Sequence, residues 1–166
     1  YSVLAAADDP AHAADVEADH IDRLLTLARS QYDYILLDVG RGLDPVSVRA
    51  LDRADLIFPV LQATLPYVRD GKRLLDVFRG LGYREDKIRL ILNRYASSDN
   101  IRVADLEAAY GKHVYKSIPN HYEAVAASVS QGVPILKLAP HNPVSRALQE
   151  LAASLAGETP PAAQGW

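Results

Sequence analysis

The chain has 166 residues, 49% of them hydrophobic, which is enough for one domain with a buried core. A formal charge of −3 gives no global electrostatic case for nucleic acid, and the absence of Cys excludes disulfides, thiolate metal sites and cysteine nucleophiles. No apolar run approaches the roughly 20 residues of a membrane-spanning helix.

The sequence opens at Tyr1 in strand-like register and contains no Met, which reads as the C-terminal part of a longer domain. The first apolar run is Val3–Ala7. Ile21, Leu24, Leu25 and Ala28 then fall on one face of a helix. Tyr34–Leu37 reads as a buried parallel strand, and Asp44-Pro45 signs a helix start. The run Leu56–Leu61 is followed by helical spacing at Leu74, Phe78 and Leu81, and the run Ile88–Leu92 by Val103, Leu106 and Tyr110. A weaker run, His113–Ile118, precedes a helical face of Tyr122, Val125 and Val129. Asn142 can cap and Pro143 can open the last helix, with Val144, Ala147, Leu148, Leu151 and Leu155 on its inner face. Gly157 to Trp166, rich in Pro, Ala and Gly, reads as a flexible tail. Strands alternating with helices predict an α/β fold whose mostly parallel sheet is covered by helices on both faces. With no repeat and no linker, residues 1–156 are expected to form a single domain.

Candidate site residues follow from the strand ends, because open α/β sheets bind ligands beyond the carboxyl ends of their strands. Asp38 ends the apolar run Tyr34–Leu37 and precedes Gly40-Arg41-Gly42, where backbone can approach a ligand. A carboxylate there suits Mg²⁺ beside a nucleotide phosphate; it equally suits the opening of a turn. Asn93, followed by Arg94, ends the run Ile88–Leu92 and could offer a purine edge both donor and acceptor, or simply make a turn. Ser117-Ile118-Pro119-Asn120 closes the next strand; Pro119 stops pairing and Asn120 can cap the following helix. Arg69 to Arg94 is locally basic, and reads first as a solvated helix face. The five His show no ligand spacing, and no Gly-x-Ser-x-Gly elbow is present. Asp8-Asp9 with Asp38 superficially match a receiver-type phosphoacceptor, but one βα unit and the Lys-Pro after Ile88–Leu92 are missing.

Together these segments resemble the C-terminal two-thirds of the MinD/ParA-type P-loop ATPases, most closely the CpaE/TadZ pilus-assembly branch, from Tyr1 to about Leu155. YDYILLDVGRGLD resembles the Walker B and switch II stretch. ALDRADLIFPVLQATLPYVRDGKRLLDVFRGLG resembles the strand and helix after it, including Ala54-Asp55 and the basic helix from Arg69 to Leu75. IRLILNRY carries the adenine-side Asn as Asn93. SIPNHYEAVAASVSQGVPILKLAP matches Ile-Pro-x-Asp…Gly-x-Pro at Ile118, Pro119, Gly132 and Pro134. The glycine-rich P-loop and switch I are absent from the chain and would lie upstream of Tyr1. Gly40-Arg41 stands where many relatives have Pro, and His121 where many have Asp.

The resemblance implies a truncated P-loop NTPase-like fold that would bind ATP and Mg²⁺. Asp38 would stand near the metal as the Walker B-type catalytic carboxylate, and Gly40, Asn93, Arg94, Pro119 and Asn120 would line the nucleotide. It implies a cytoplasmic ATPase, or degenerate ATPase, of Tad/Flp-type pilus assembly, peripheral at the inner membrane. Such a protein would be a homodimer, or pair with the missing upstream segment, and contact pilus or secretion proteins rather than nucleic acid. The alternative is a non-enzymatic localisation scaffold with an ATPase fold. Without the P-loop strand the sheet would bare long apolar edges, so the missing strands are expected from an upstream segment or another chain.

Overall fold

The computed structural model describes residues 2–5, 16–40 and 42–157. Ala6, Ala7, Asp8, Asp9, His12, Arg41 and the tail beyond Gly157 therefore lie outside the described residues, and with them the end of the first apolar run and the acidic pair. The chain divides into two compact units between Asp55 and Leu56.

The first unit holds two packed helices, α1 (Ala18–Arg29) and α2 (Pro45–Arg53). Among the described residues, Leu25 of α1 and Ala50 and Leu51 of α2 are its buried apolar residues. The sequence starts α2 as expected: Asp44 Oδ1 accepts from the Ser47 N–H at 2.7 Å and Pro45 occupies the first turn. The Asp44 carboxyl is held below its ordinary pKa first by that backbone donor. Polar contacts also join α1 to α2 and the residues just after it. Arg29 donates to the Arg53 carbonyl at 2.8 Å and pairs with Asp55 at 3.1 Å. Arg49 and Arg53 flank the Asp22 carboxylate at 3.5 and 3.6 Å. The expected strand Tyr34–Leu37 is corrected here. The segment forms no helix and pairs in no ladder among the described residues, and Leu36 is 92% exposed. A strand exists only through a partner for its backbone groups, and an apolar run alone does not supply one.

The second unit is a three-stranded parallel sheet, in the order β1 (Val60–Leu61), β2 (Leu90–Tyr95), β3 (Val114–Pro119). The run Leu56–Leu61 contributes less strand than expected: a single bridge, Ile57 to Ile88, and then β1. Helix α3 (Leu65–Gly80) follows β1, α4 (Val103–Tyr110) follows β2, and α5 (Tyr122–Gln131), α6 (Ile135–Leu138) and α7 (Pro143–Ala156) follow β3. Ile91 and Ile118 pack with Val144 and Ala147 of α7 on one face of the sheet. Leu61 and Leu92 are register partners and so share the other face, where α3 approaches so closely that a Cβ on Gly71 would stand 2.9 Å from Leu61. Helices thus cover both faces, as the strand and helix alternation predicts.

Asn142 and Pro143 open α7 as expected, Asn142 Oδ1 accepting from the Val144 N–H at 2.9 Å. Asn120 does not cap α5: the cap position is His121, with no side-chain bond. The apolar stripe of α5 is also corrected. Its expected inner face is open, with Tyr122 67% and Val129 77% exposed.

Candidate functional site

Three strand ends meet at one cavity. Gln62 follows β1 directly, Asn93 and Arg94 lie near the C-terminal end of β2, and Pro119 and Asn120 sit at the tip of β3. They line a cavity of about 280 Å³ with His121, Tyr122 and Val125, floored by the buried Ile118 and Val144. This is the carboxyl end of a parallel sheet, where such folds take ligands.

A register slip shapes the cavity. Leu92 pairs with Ser117 and Tyr95 with Pro119, so β2 spends one residue more than β3 over this stretch. The extra residue makes a bulge, which re-aims side chains at a sheet end. Arg94 absorbs it with φ of 55°, in the left-handed region that a side chain with Cβ seldom adopts. The Asn93 Oδ1 accepts from the Arg94 N–H at 3.0 Å and steadies the bulge. Beyond it the Asn120 N–H donates to the Tyr95 carbonyl at 3.0 Å, closing the rim. The Arg94 guanidinium lies over the Tyr122 ring at 6.0 Å.

The strands behind the rim are braced. Glu107 Oε1 accepts from the Val114 N–H at 2.8 Å, holding the start of β3 to the end of α4. That donor, with His113 second, lowers the Glu107 carboxyl below its ordinary pKa. Lys116 and Glu150 tie β3 to α7, and the ammonium lowers the Glu150 carboxyl likewise.

The structure therefore brings together Asn93, Arg94, Pro119 and Asn120 of the expected site residues. Asp38 and Gly40 lie in the first unit, both exposed, just after the Tyr34–Leu37 run that pairs in no described ladder. Among the described residues, no cluster of three or more His, Asp or Glu could hold a metal unaided. A single carboxylate such as Asp38 fits Mg²⁺ only where substrate phosphates complete the shell. Sequence reading missed Gln62, His121 and Tyr122. Gln62 was findable, since it directly follows an apolar run as Asp38 and Asn93 do.

No protein-family model matches the chain. The septum site-determining protein MinD of Thermotoga maritima is 24% identical over 135 residues, which cover 78% of this chain and 49% of that protein. The chain thus spans about half the length of this curated relative. The ParA family ATPase from Chlorobium tepidum has a TM-score of 0.83 at 27% identity, covering 89% of this chain and 61% of that one. MinD of Pyrococcus horikoshii, solved with Mg-ADP, gives 0.74 at 22% identity, covering 91% and 63%. Among the described residues no helix is long and apolar enough to cross a membrane. The chain is homologous to the MinD/ParA-type ATPases and shares their α/β fold.

Proposed function

We propose that the chain is the C-terminal part of a MinD/ParA-type P-loop ATPase domain of the pilus-assembly branch, with residues 1–156 acting as one ATPase-like domain. The observation that carries this is the cavity at the strand ends, built from Asn93, Arg94, Pro119 and Asn120. Its ligand would be the base side of a nucleotide. The Mg-ADP bound by the Pyrococcus horikoshii relative supports ATP and Mg²⁺ as the pair taken here. Asp38 would face the metal, with the nucleotide supplying the phosphates and a segment upstream of Tyr1 supplying the P-loop. The edge of β1 that no described strand occupies suits such an added strand. The whole protein would dimerise, meet pilus or secretion proteins, and work in the cytoplasm against the inner membrane.

Phosphate release by the full-length protein tests this, with Asp38→Ala and Asn93→Ala beside the natural sequence. Hydrolysis lost in Asp38→Ala, with Asn93→Ala raising the KM for ATP, is the expected result. Equal, background rates in all three contradict ATPase action. They would favour a localisation scaffold, a reading already supported by the exposed apolar stripe of α5.

A further inference from the structure

The basic stretch from Arg69 to Arg94 divides into two parts. Arg79 pairs with Asp76 at 2.7 Å and Arg84 with Asp86, while Lys87 lies over the Tyr83 ring, Arg89 over Tyr115 and Arg94 over Tyr122. Arg69, Lys72 and Arg73, all exposed on α3, have no such partner among the described residues. By helical geometry Arg69 and Arg73 stand opposite the buried Gly71, Leu75 and Phe78. Leu65, Arg69, Arg73 and Val77 recur every fourth residue, so they form one ridge along α3, about 18 Å long. Its ends are apolar and open: Leu65 is 67% and Val77 43% exposed. Asp76 is held by Arg79 and Asp70 lies to one side, so the ridge itself carries no carboxylate. Like charges one turn apart weaken a helix slightly, and α3 keeps this pair without a neutralising neighbour.

We propose that this ridge docks an acidic amphipathic helix of a partner protein, with carboxylates meeting Arg69 and Arg73 and apolar residues seated on Leu65 and Val77. The order apolar, cation, cation, apolar is read by its complement at the same spacing, the partner helix laying its ridge alongside this one. Arg69 and Arg73 offer planar forks that match carboxylates. Lys72, three residues after Arg69, adds a third positive charge beside them. An anionic lipid surface suits the face less well, since it is read by clusters of about four to eight Lys and Arg and only three cations stand unpaired here. A nucleic-acid backbone suits a basic protein, and this chain carries −3 overall. The ridge uses no residue of the strand-end cavity, so the inference stands apart from the nucleotide reading.

The probe is a synthetic helical peptide of about 16 residues that carries Leu, Glu, Glu and Leu at every fourth position on one face. Fluorescence anisotropy of the labelled peptide with the full-length protein should show saturable binding that weakens as salt rises. The same residues in scrambled order should bind far more weakly. Arg69→Ala combined with Arg73→Ala should weaken binding about tenfold, each exposed ion pair contributing a few fold. Ala is a better helix former than Arg, so α3 persists in that variant, as circular dichroism would verify. Arg84→Ala, outside the ridge, should change nothing. Absence of saturable binding would overturn the proposal. So would equal binding of the scrambled peptide, or binding that the double variant leaves unchanged. Retention on phosphatidylserine vesicles or on duplex DNA, lost in the double variant while the peptide fails to bind, would overturn it in favour of a lipid or nucleic-acid surface.

Discussion

The backbone N–H of Asn120 reaches back across the sheet tip to the carbonyl of Tyr95 at 3.0 Å, one residue past the end of β3. That bond sets the position of Asn120, His121 and the start of α5 at Tyr122 relative to the bulge at Asn93-Arg94. The backbone and side chain of Asn120 therefore have separable roles. Asn120→Ala keeps the N–H and should leave the melting temperature unchanged while loosening nucleotide. Asn120→Pro removes the donor and leaves the Tyr95 carbonyl short of a partner, costing about 1–3 kcal/mol. Thermal melting of the two variants checks this; equal stability of both would show that the rim bond carries nothing.

At Gly71, α3 packs tightly against both β1 and α4. A Cβ there would stand 2.8 Å from Tyr110 Oη and 2.9 Å from Leu61. Gly71→Ala should therefore destabilise by about 1–3 kcal/mol through overpacking, despite the better helix propensity of Ala. Tyr110→Phe removes one of the clashing atoms but also the hydrogen bond from Tyr110 Oη to the Tyr67 carbonyl. The double variant should be less damaged than the sum of the single ones, and denaturant melts of the four-protein cycle give the coupling. Strict additivity would mean that α3 shifts as a body instead.

Carboxylates set the acid limit. Glu85 is lowered first by the Lys112 ammonium, Glu107 by the Val114 N–H, and Glu150 by Lys116. A lowered folded-state pKa means that the unfolded chain binds more protons in the window beneath the ordinary carboxylate value. Stability is then complete above that value and is lost as pH falls through the lowered one. The melting temperature should be flat near neutrality and fall below about pH 4.5. Glu107→Gln keeps an oxygen acceptor for Val114 but does not titrate, so it should flatten the acid slope. An unaltered slope would show that Glu107 is equally perturbed in the unfolded chain.

Much of this was legible in the amino-acid order. Ile88–Leu92 announced β2 because a short unbroken apolar run fits a strand buried on both faces, and Leu90, Ile91 and Leu92 are all buried. Asn142-Pro143 announced α7 because capping is local chemistry. Tyr34–Leu37 carries the same apolar signal as β2 yet pairs with nothing described, since pairing depends on a neighbour that no local pattern encodes. The α5 stripe failed for a related reason: helical spacing gives amphipathicity, not the surface that covers it. The bulge left no trace, because Arg carries no preference for positive φ. The Tyr122 contact depends on that bulge and was hidden with it.

On the proposed reading, the ends of β1, β2 and β3 form a nucleotide pocket. Backbone amide NMR of the full-length protein titrated with Mg-ATP addresses it most directly. Saturable shifts concentrated at Gln62, Asn93, Arg94, Asn120, His121 and Tyr122 are expected. Shifts that stay linear in nucleotide, or that scatter over residues away from this cavity, would contradict it.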